Sequence, residues 1–113
     1  IGYGHQIRNG ETYPGGISED TAYALLRFDA NIAANAVARL LPIALTQSRY
    51  DAVISFTFNL GAGALQRSTL RQVLLRGEYA LAPDEFRRWV YSGGRRLSGL
   101  QRRREAEIAL FVK

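Results

Sequence analysis

The chain has 113 residues, 47% of them hydrophobic and 22% charged, with a formal net charge of +5. That length fits one domain with one core, and the composition excludes a disordered or fibrous chain. The absence of Cys excludes a disulfide framework, a thiolate metal site and a cysteine nucleophile. No apolar run approaches the roughly 20 residues of a membrane span, and no signal peptide is visible.

The stretch from Ile1 to Gly16 is glycine-rich, with Tyr3 and His5 alternating against Gly2 and Gly4, then Asn9-Gly10 and Pro14-Gly15-Gly16. It predicts a short strand, a tight Asn-Gly turn and a second strand. A helix is expected over 18–40, capped by Ser18, opened by Glu19 and Asp20 and stopped by Pro42. Ala22, Leu25, Leu26, Ile32, Ala33, Ala36, Val37 and Leu40 form its apolar stripe, and Asp29 falls on that stripe as a carboxylate facing inward.

Thr46 is expected to cap a second helix that buries Tyr50, Val53, Ile54, Thr57 and Phe58 and ends at Gly61. Gly61-Ala62-Gly63 reads as a turn. Ser68 starts a third helix carrying Leu70, Val73 and Leu74 up to Gly77. Pro83 begins a fourth, with Phe86, Trp89 and Val90 inward, ended by Gly93-Gly94. The last helix, from about Ser98 to Val112, turns Leu100, Ile108 and Phe111 to one side and sets Arg103 and Glu107 at the supportive i, i+4 separation. The expected fold class is therefore α+β, mainly α: a small N-terminal hairpin, then about five helices.

Charge is unevenly distributed. Residues 1–86 hold seven Arg against eight carboxylates, net −1, while residues 87–113 hold seven Arg and Lys113 against Glu105 and Glu107, net +6. Such an end favours an anionic partner, or else forms a solvated helix face.

Little chemistry follows from the residues alone. One His, no Cys and scattered carboxylates do not make a metal site. Gly2-Tyr3-Gly4 and Gly61-Ala62-Gly63 lack the remaining residues of a dinucleotide or phosphate loop, and there is no Gly-x-Ser-x-Gly elbow for His5 to serve. The single His is better read as structural, with Asp29 as its partner, because a buried carboxylate needs a charge or donors nearby. Trp89 and Tyr91 between arginines would suit stacking on single-stranded nucleic acid, but the spacing of Trp89 with Phe86 and Val90 favours core packing. Phe58 is either packed core or, if it lines a cleft, a platform for a sugar.

Four segments in order carry a family resemblance. Ile1-Gly2-Tyr3-Gly4-His5 matches the end of a Thr-Ile-Gly-Tyr-Gly-His stretch. Leu45-Thr46-Gln47 leads to Tyr50-Asp51-Ala52-Val53 and Ser55-Phe56-Thr57-Phe58-Asn59-Leu60-Gly61. Ser68-Thr69-Leu70 comes after it, then Gly99-Leu100-Gln101-Arg102-Arg103-Arg104-Glu105. Over nearly its whole length the chain resembles the phage-type lysozymes, the endolysins of glycoside hydrolase family 24.

The resemblance implies a lysozyme-like fold and a muramidase that cleaves the β-1,4 bond between N-acetylmuramic acid and N-acetylglucosamine in peptidoglycan during lysis. In that family the catalytic Glu, Asp and Thr come before the Ile-Gly, so the expectation is that they lie upstream of Ile1. No catalytic residue is then assigned in this chain, and residues 1–113 form a single lysozyme domain without its N-terminal helix and first strands. A chain truly so truncated would be inactive.

By the same resemblance Gly2, Tyr3 and Gly4, with Phe58, Asn59, Gly61 and Thr69, border the substrate, and His5 pairs with Asp29 as a structural ion pair. Pro83 stands where some relatives carry a polar groove residue. No cofactor and no metal are implied. The expected partner is the peptidoglycan glycan, with the basic end adhering to an anionic envelope, no specific nucleic acid, and a monomeric state. The protein would be made in the host cytoplasm and act at the cell wall or periplasm. The alternative is a non-catalytic module that holds glycan or nucleic acid through its basic C-terminal helix.

Overall fold

The computed structural model describes residues 19–113, with side chains from residue 30 onward. The expected N-terminal hairpin and His5 lie outside the described residues, as does the Asp29 side chain. Helix α1, Glu19–Leu40, and helix α2, Gln47–Leu60, fall where apolar spacing and capping residues predict them. Thr46 caps α2 from extended backbone, its Oγ1 accepting from the Arg49 amide at 3.3 Å. The intervening chain is held by Tyr50, whose hydroxyl donates to the Ile43 carbonyl at 2.7 Å.

A short helix occurs where the sequence predicts only a turn. Helix α3, Ala62–Arg67, begins directly after Gly61, with no side-chain cap. Burial of Ala64 and fully enclosed Leu65 drives it, against the low helix propensity of Gly63. Gly61 makes the junction possible: its φ of 95° and ψ of 158° lie in a region essentially reserved for glycine. A Cβ there would meet nothing within 4 Å, so the backbone alone sets the cost of Gly61→Ala. That variant is expected to lose about 1–3 kcal/mol, checked by urea unfolding.

Ser68 caps helix α4, Thr69–Leu75, accepting from the Arg71 amide at 3.0 Å and donating to the Leu65 carbonyl at 2.7 Å. Arg71 reaches back to α1, its Nε donating to the Leu40 carbonyl at 2.9 Å, where a helix C-terminus leaves acceptors unpaired. A 3₁₀ turn, Tyr79–Leu81, leads into helix α5, Ala82–Arg87, with Pro83 in its first turn as expected.

Helix α5 is shorter than predicted. It stops at Arg87, and Gly93-Gly94 is the tip of a two-stranded antiparallel hairpin, β1 Tyr91–Ser92 and β2 Arg95–Arg96. Both glycines have positive φ, 57° and 78°, as the tightest hairpin turns require. Among the described residues this is the small sheet of a mainly helical fold. Helix α6, Ser98–Phe111, closes the domain.

The core gathers Val37, Leu40 and Leu41 from the end of α1 with Val53 and Phe56 of α2, Leu65, Leu70 and Leu74, Phe86, and Ile108 and Phe111 of α6. Two predicted stripes need correction. Ile32 is 52% exposed, whereas Ala33, Ala36, Val37 and Leu40 are buried as expected. On α2 the buried residues are Ala52, Val53, Phe56 and Thr57, while Tyr50, Ile54 and Phe58 are only partly covered. The reason is that α2 packs against α1, α3 and α6, so its enclosed arc is broader than one stripe and centred differently. Leu100 of α6 is likewise only partly covered.

Candidate functional site

An open groove of about 310 Å³ is lined by Arg67, Ser68, Thr69, Glu85, Arg88 and Trp89. The junction of α3 and α4 supplies one side, and α5 with the residues after it supplies the other. Trp89 belongs to both core and groove. It is half-buried, meets the Phe56 ring edge-on with centroids 5.5 Å apart, and carries the Arg67 guanidinium 5.7 Å from its own centroid. Arg88 Nη1 lies 3.2 Å from Glu85 Oε1, so the carboxylate of Glu85 is committed to an ion pair. Ser68 is spent on capping, while the exposed Thr69 leaves its hydroxyl at the groove edge.

Behind this wall lies a buried charged network. Arg104 is fully enclosed and Glu107 is 3% exposed. Arg104 Nη2 donates to Asn59 Oδ1 at 2.7 Å and to Glu107 Oε2 at 3.2 Å, and Nη1 reaches the Trp89 carbonyl at 3.5 Å. Arg104 Nε and Glu107 Oε1 approach to 2.8 Å as an ion pair but are not aligned as a hydrogen bond. Glu107 Oε2 also accepts from Ser55 Oγ at 2.7 Å and from Arg103 Nε at 3.3 Å, the i, i+4 pair expected from sequence. One guanidinium thus joins the end of α2 to the backbone beside the groove.

Burial pushes the Glu107 carboxyl above its ordinary value of 4.5, against the opposing pull of Ser55 Oγ, Arg104 and Arg103. A carboxyl raised on folding contributes stability that is fully present below its unfolded value and is lost as pH rises through the folded value. The unfolding free energy of the wild type minus that of Glu107→Gln is therefore expected to fall as pH rises from about 4 towards neutrality. Urea unfolding of both proteins across that range checks it, and a difference that grows with pH refutes it.

The structure treats the expected site residues unequally. Thr69 lines the groove. Phe58 and Asn59 occupy the last turn of α2, both partly buried, and Gly61 is exposed at the α2–α3 junction; none of the three is in the groove lining. Asn59 is tied to the groove through Arg104. Gly2, Tyr3, Gly4 and the His5–Asp29 pair lie outside the described residues. Pro83 is partly buried in the first turn of α5 and does not line the groove, whereas Glu85, two residues on, does. Sequence reasoning missed Arg67, Glu85, Arg88 and Arg104. Among the described residues no three of His, Cys, Asp and Glu cluster as metal ligands would.

Comparison with known proteins identifies this mainly helical domain with a small two-stranded sheet as a lysozyme-like fold. The phage lysozyme family matches residues 1–107, and the chain belongs to that family. It is 44% identical over 113 residues to the endolysin of Bacillus phage B103, covering 99% of this chain and 42% of that protein. Two solved structures are similar. A mutant of P22 lysozyme superposes with a TM-score of 0.80 at 32% identity, covering 100% of this chain and 79% of that one. The muramidase domain of SpmX from Asticaccaulis excentricus superposes with a TM-score of 0.79 at 34% identity, covering 86% and 69%. The chain spans about half the length of the curated relatives it matches first.

Proposed function

We propose that the chain is the glycan-holding part of a phage or prophage endolysin. The enzyme hydrolyses the β-1,4 bond between N-acetylmuramic acid and N-acetylglucosamine in peptidoglycan, as a monomer acting at the bacterial cell wall after synthesis in the host cytoplasm. Family membership supports the reaction class. The observation that carries the role of these residues is the groove beside Trp89, whose half-buried indole and open Thr69 offer a sugar an apolar face and a hydroxyl partner.

Glycoside cleavage needs a protonated carboxyl at the leaving oxygen and a second group that activates water or stabilises the cation. Among the described residues the groove lining contains one carboxylate, Glu85, held by Arg88. It binds and orients; proton donation belongs to the family's Glu, with its Asp and Thr handling water. Asn59 and Phe58, at the end of α2, are proposed as further substrate contacts on the strength of the resemblance, as are Gly61, Gly2, Tyr3 and Gly4. Asn59 Oδ1 is occupied by Arg104, which fixes the amide and leaves its Nδ2 as the donor for a sugar oxygen.

Purified peptidoglycan sacculi incubated with the complete gene product test the reading. Clearing of the suspension with release of reducing muramic ends supports it. A folded protein that binds sacculi without releasing such ends replaces the enzyme with the binding module.

A further inference from the structure

We propose that the β1–β2 hairpin is a docking surface for an anionic phospholipid bilayer. The inference is independent of the hydrolytic reading, because it concerns a different part of the surface from the groove lining.

Every residue from Tyr91 to Gly99 is exposed. The hairpin is nevertheless held firmly at its base, where the Leu97 amide donates to the carbonyl of buried Val90 at 3.0 Å. Its register sets Tyr91 directly opposite Arg96 and Ser92 opposite Arg95, so an aromatic ring and a guanidinium share one face. Gly93 and Gly94 leave the tip without side chains.

Charge pairing separates this surface from the rest of the basic end. Arg87 is paired with Asp84 and Glu105, Arg88 with Glu85, and Arg103 and Arg104 with Glu107. Among the described residues, the arginines of this end without a carboxylate partner are Arg95, Arg96 and Arg102, so its uncompensated arginine charge falls on the hairpin and the adjoining start of α6.

The hairpin exposes two large apolar side chains, one on each face: Tyr91, 61% exposed, beside Arg96, and Leu97, 41% exposed, on the side of Arg95. A bilayer that takes up the hairpin edge-on thus meets an arginine and an apolar side chain on both faces. A soluble polyanion would use the arginines and gain little from Leu97. A bilayer uses both, since arginines meet lipid phosphates while a tyrosine and a leucine enter the headgroup boundary. A single-stranded nucleic acid would want successive stacking rings, and the hairpin has one.

The test is co-sedimentation of the purified chain with vesicles of mixed phosphatidylglycerol and phosphatidylcholine, against phosphatidylcholine alone, at about 0.15 M salt. The wild type is expected to partition onto the anionic vesicles only. Each arginine near such a surface is worth about a five-fold change, so Arg95→Gln with Arg96→Gln lowers the partition coefficient about 25-fold. Tyr91→Ser also weakens partitioning with the charge unchanged, and all these variants keep the wild-type melting curve. Arg39→Gln with Arg76→Gln removes the same charge elsewhere and leaves most of the binding in place. Three results overturn the proposal: no partitioning by the wild type, an equal loss in the Arg39 and Arg76 control, or tighter binding to a DNA oligonucleotide than to the anionic vesicles at the same salt. Binding to vesicles by a protein inactive on sacculi would separate this surface from the proposed hydrolytic function.

Discussion

Arg104→Met destabilises the domain by about 3–5 kcal/mol, because it leaves Glu107 as a buried carboxylate without its enclosed counter-ion. The substitution keeps the inner part of an unbranched side chain but ends short of the guanidinium carbon, which lies 5.4 Å from the Phe56 ring centroid, so a small cavity adds to the loss of charge and hydrogen bonds. Asn59 Oδ1 and the Trp89 carbonyl lose a donor at the same time.

Glu107 relieves its isolation in the variant by holding a proton more tightly, so its already raised pKa moves further up. The penalty consequently grows as pH rises from the acidic side. Adding Glu107→Leu removes the stranded charge and is expected to recover most of the stability, since apolar replacements of buried ion pairs are often neutral or better. Urea unfolding of wild type, single and double variants closes the cycle. A double variant as unstable as the single one shows that lost hydrogen bonds and packing, rather than a carboxylate left with Arg103 alone, account for the loss.

Phe56→Ala is the other large effect, about 3–5 kcal/mol. Phe56 is fully buried at the meeting of α2, α5 and α6, edge-on to Phe86 with centroids 5.7 Å apart and to Trp89 at 5.5 Å. Its removal opens a cavity and withdraws the support beneath the indole that forms the groove wall. Phe58→Ala, two residues on and only partly covered, is expected to cost clearly less. Thermal or urea unfolding of the two variants compares them, and equal losses would contradict the structural assignment of the core to Phe56.

That comparison marks a place where the sequence could be read two ways. Tyr50, Val53, Ile54, Thr57 and Phe58 form a consistent helical stripe, but so do Val53, Phe56, Thr57 and Leu60 one step round. Period alone does not choose between adjacent arcs when a helix has neighbours on several sides, as α2 does. The arginine run of α6 was legible in principle. Arg104, Glu107, Ile108 and Phe111 stand at i, i+3, i+4 and i+7, so the same reasoning that turned Asp29 inward also turns Arg104 and Glu107 inward. Treating a basic run as a solvated face concealed it.

Gly61-Ala62-Gly63 and Gly93-Gly94 erred in opposite directions. The first reads as a turn but leads into a helix held by buried Leu65; the second reads as a helix end but makes a hairpin tip. In both, glycine marks a bend in the chain but does not fix the type of the next element.

The sequence by itself determined the places of α1, α2, α4 and α6, with Thr46 and Ser68 capping α2 and α4, together with family membership, because capping, proline stops and apolar period act over a few neighbouring residues. Tertiary structure decided the rest. It selected which arc of α2 is enclosed, formed the six-residue α3 around Leu65, and assembled the groove from residues in the 67–69 and 85–89 stretches. It also joined Ser55, Asn59, Arg104 and Glu107 into one network across more than 40 positions of sequence. Such features depend on contacts between distant segments, and a buried charge is tolerable only when folding brings its partners to it.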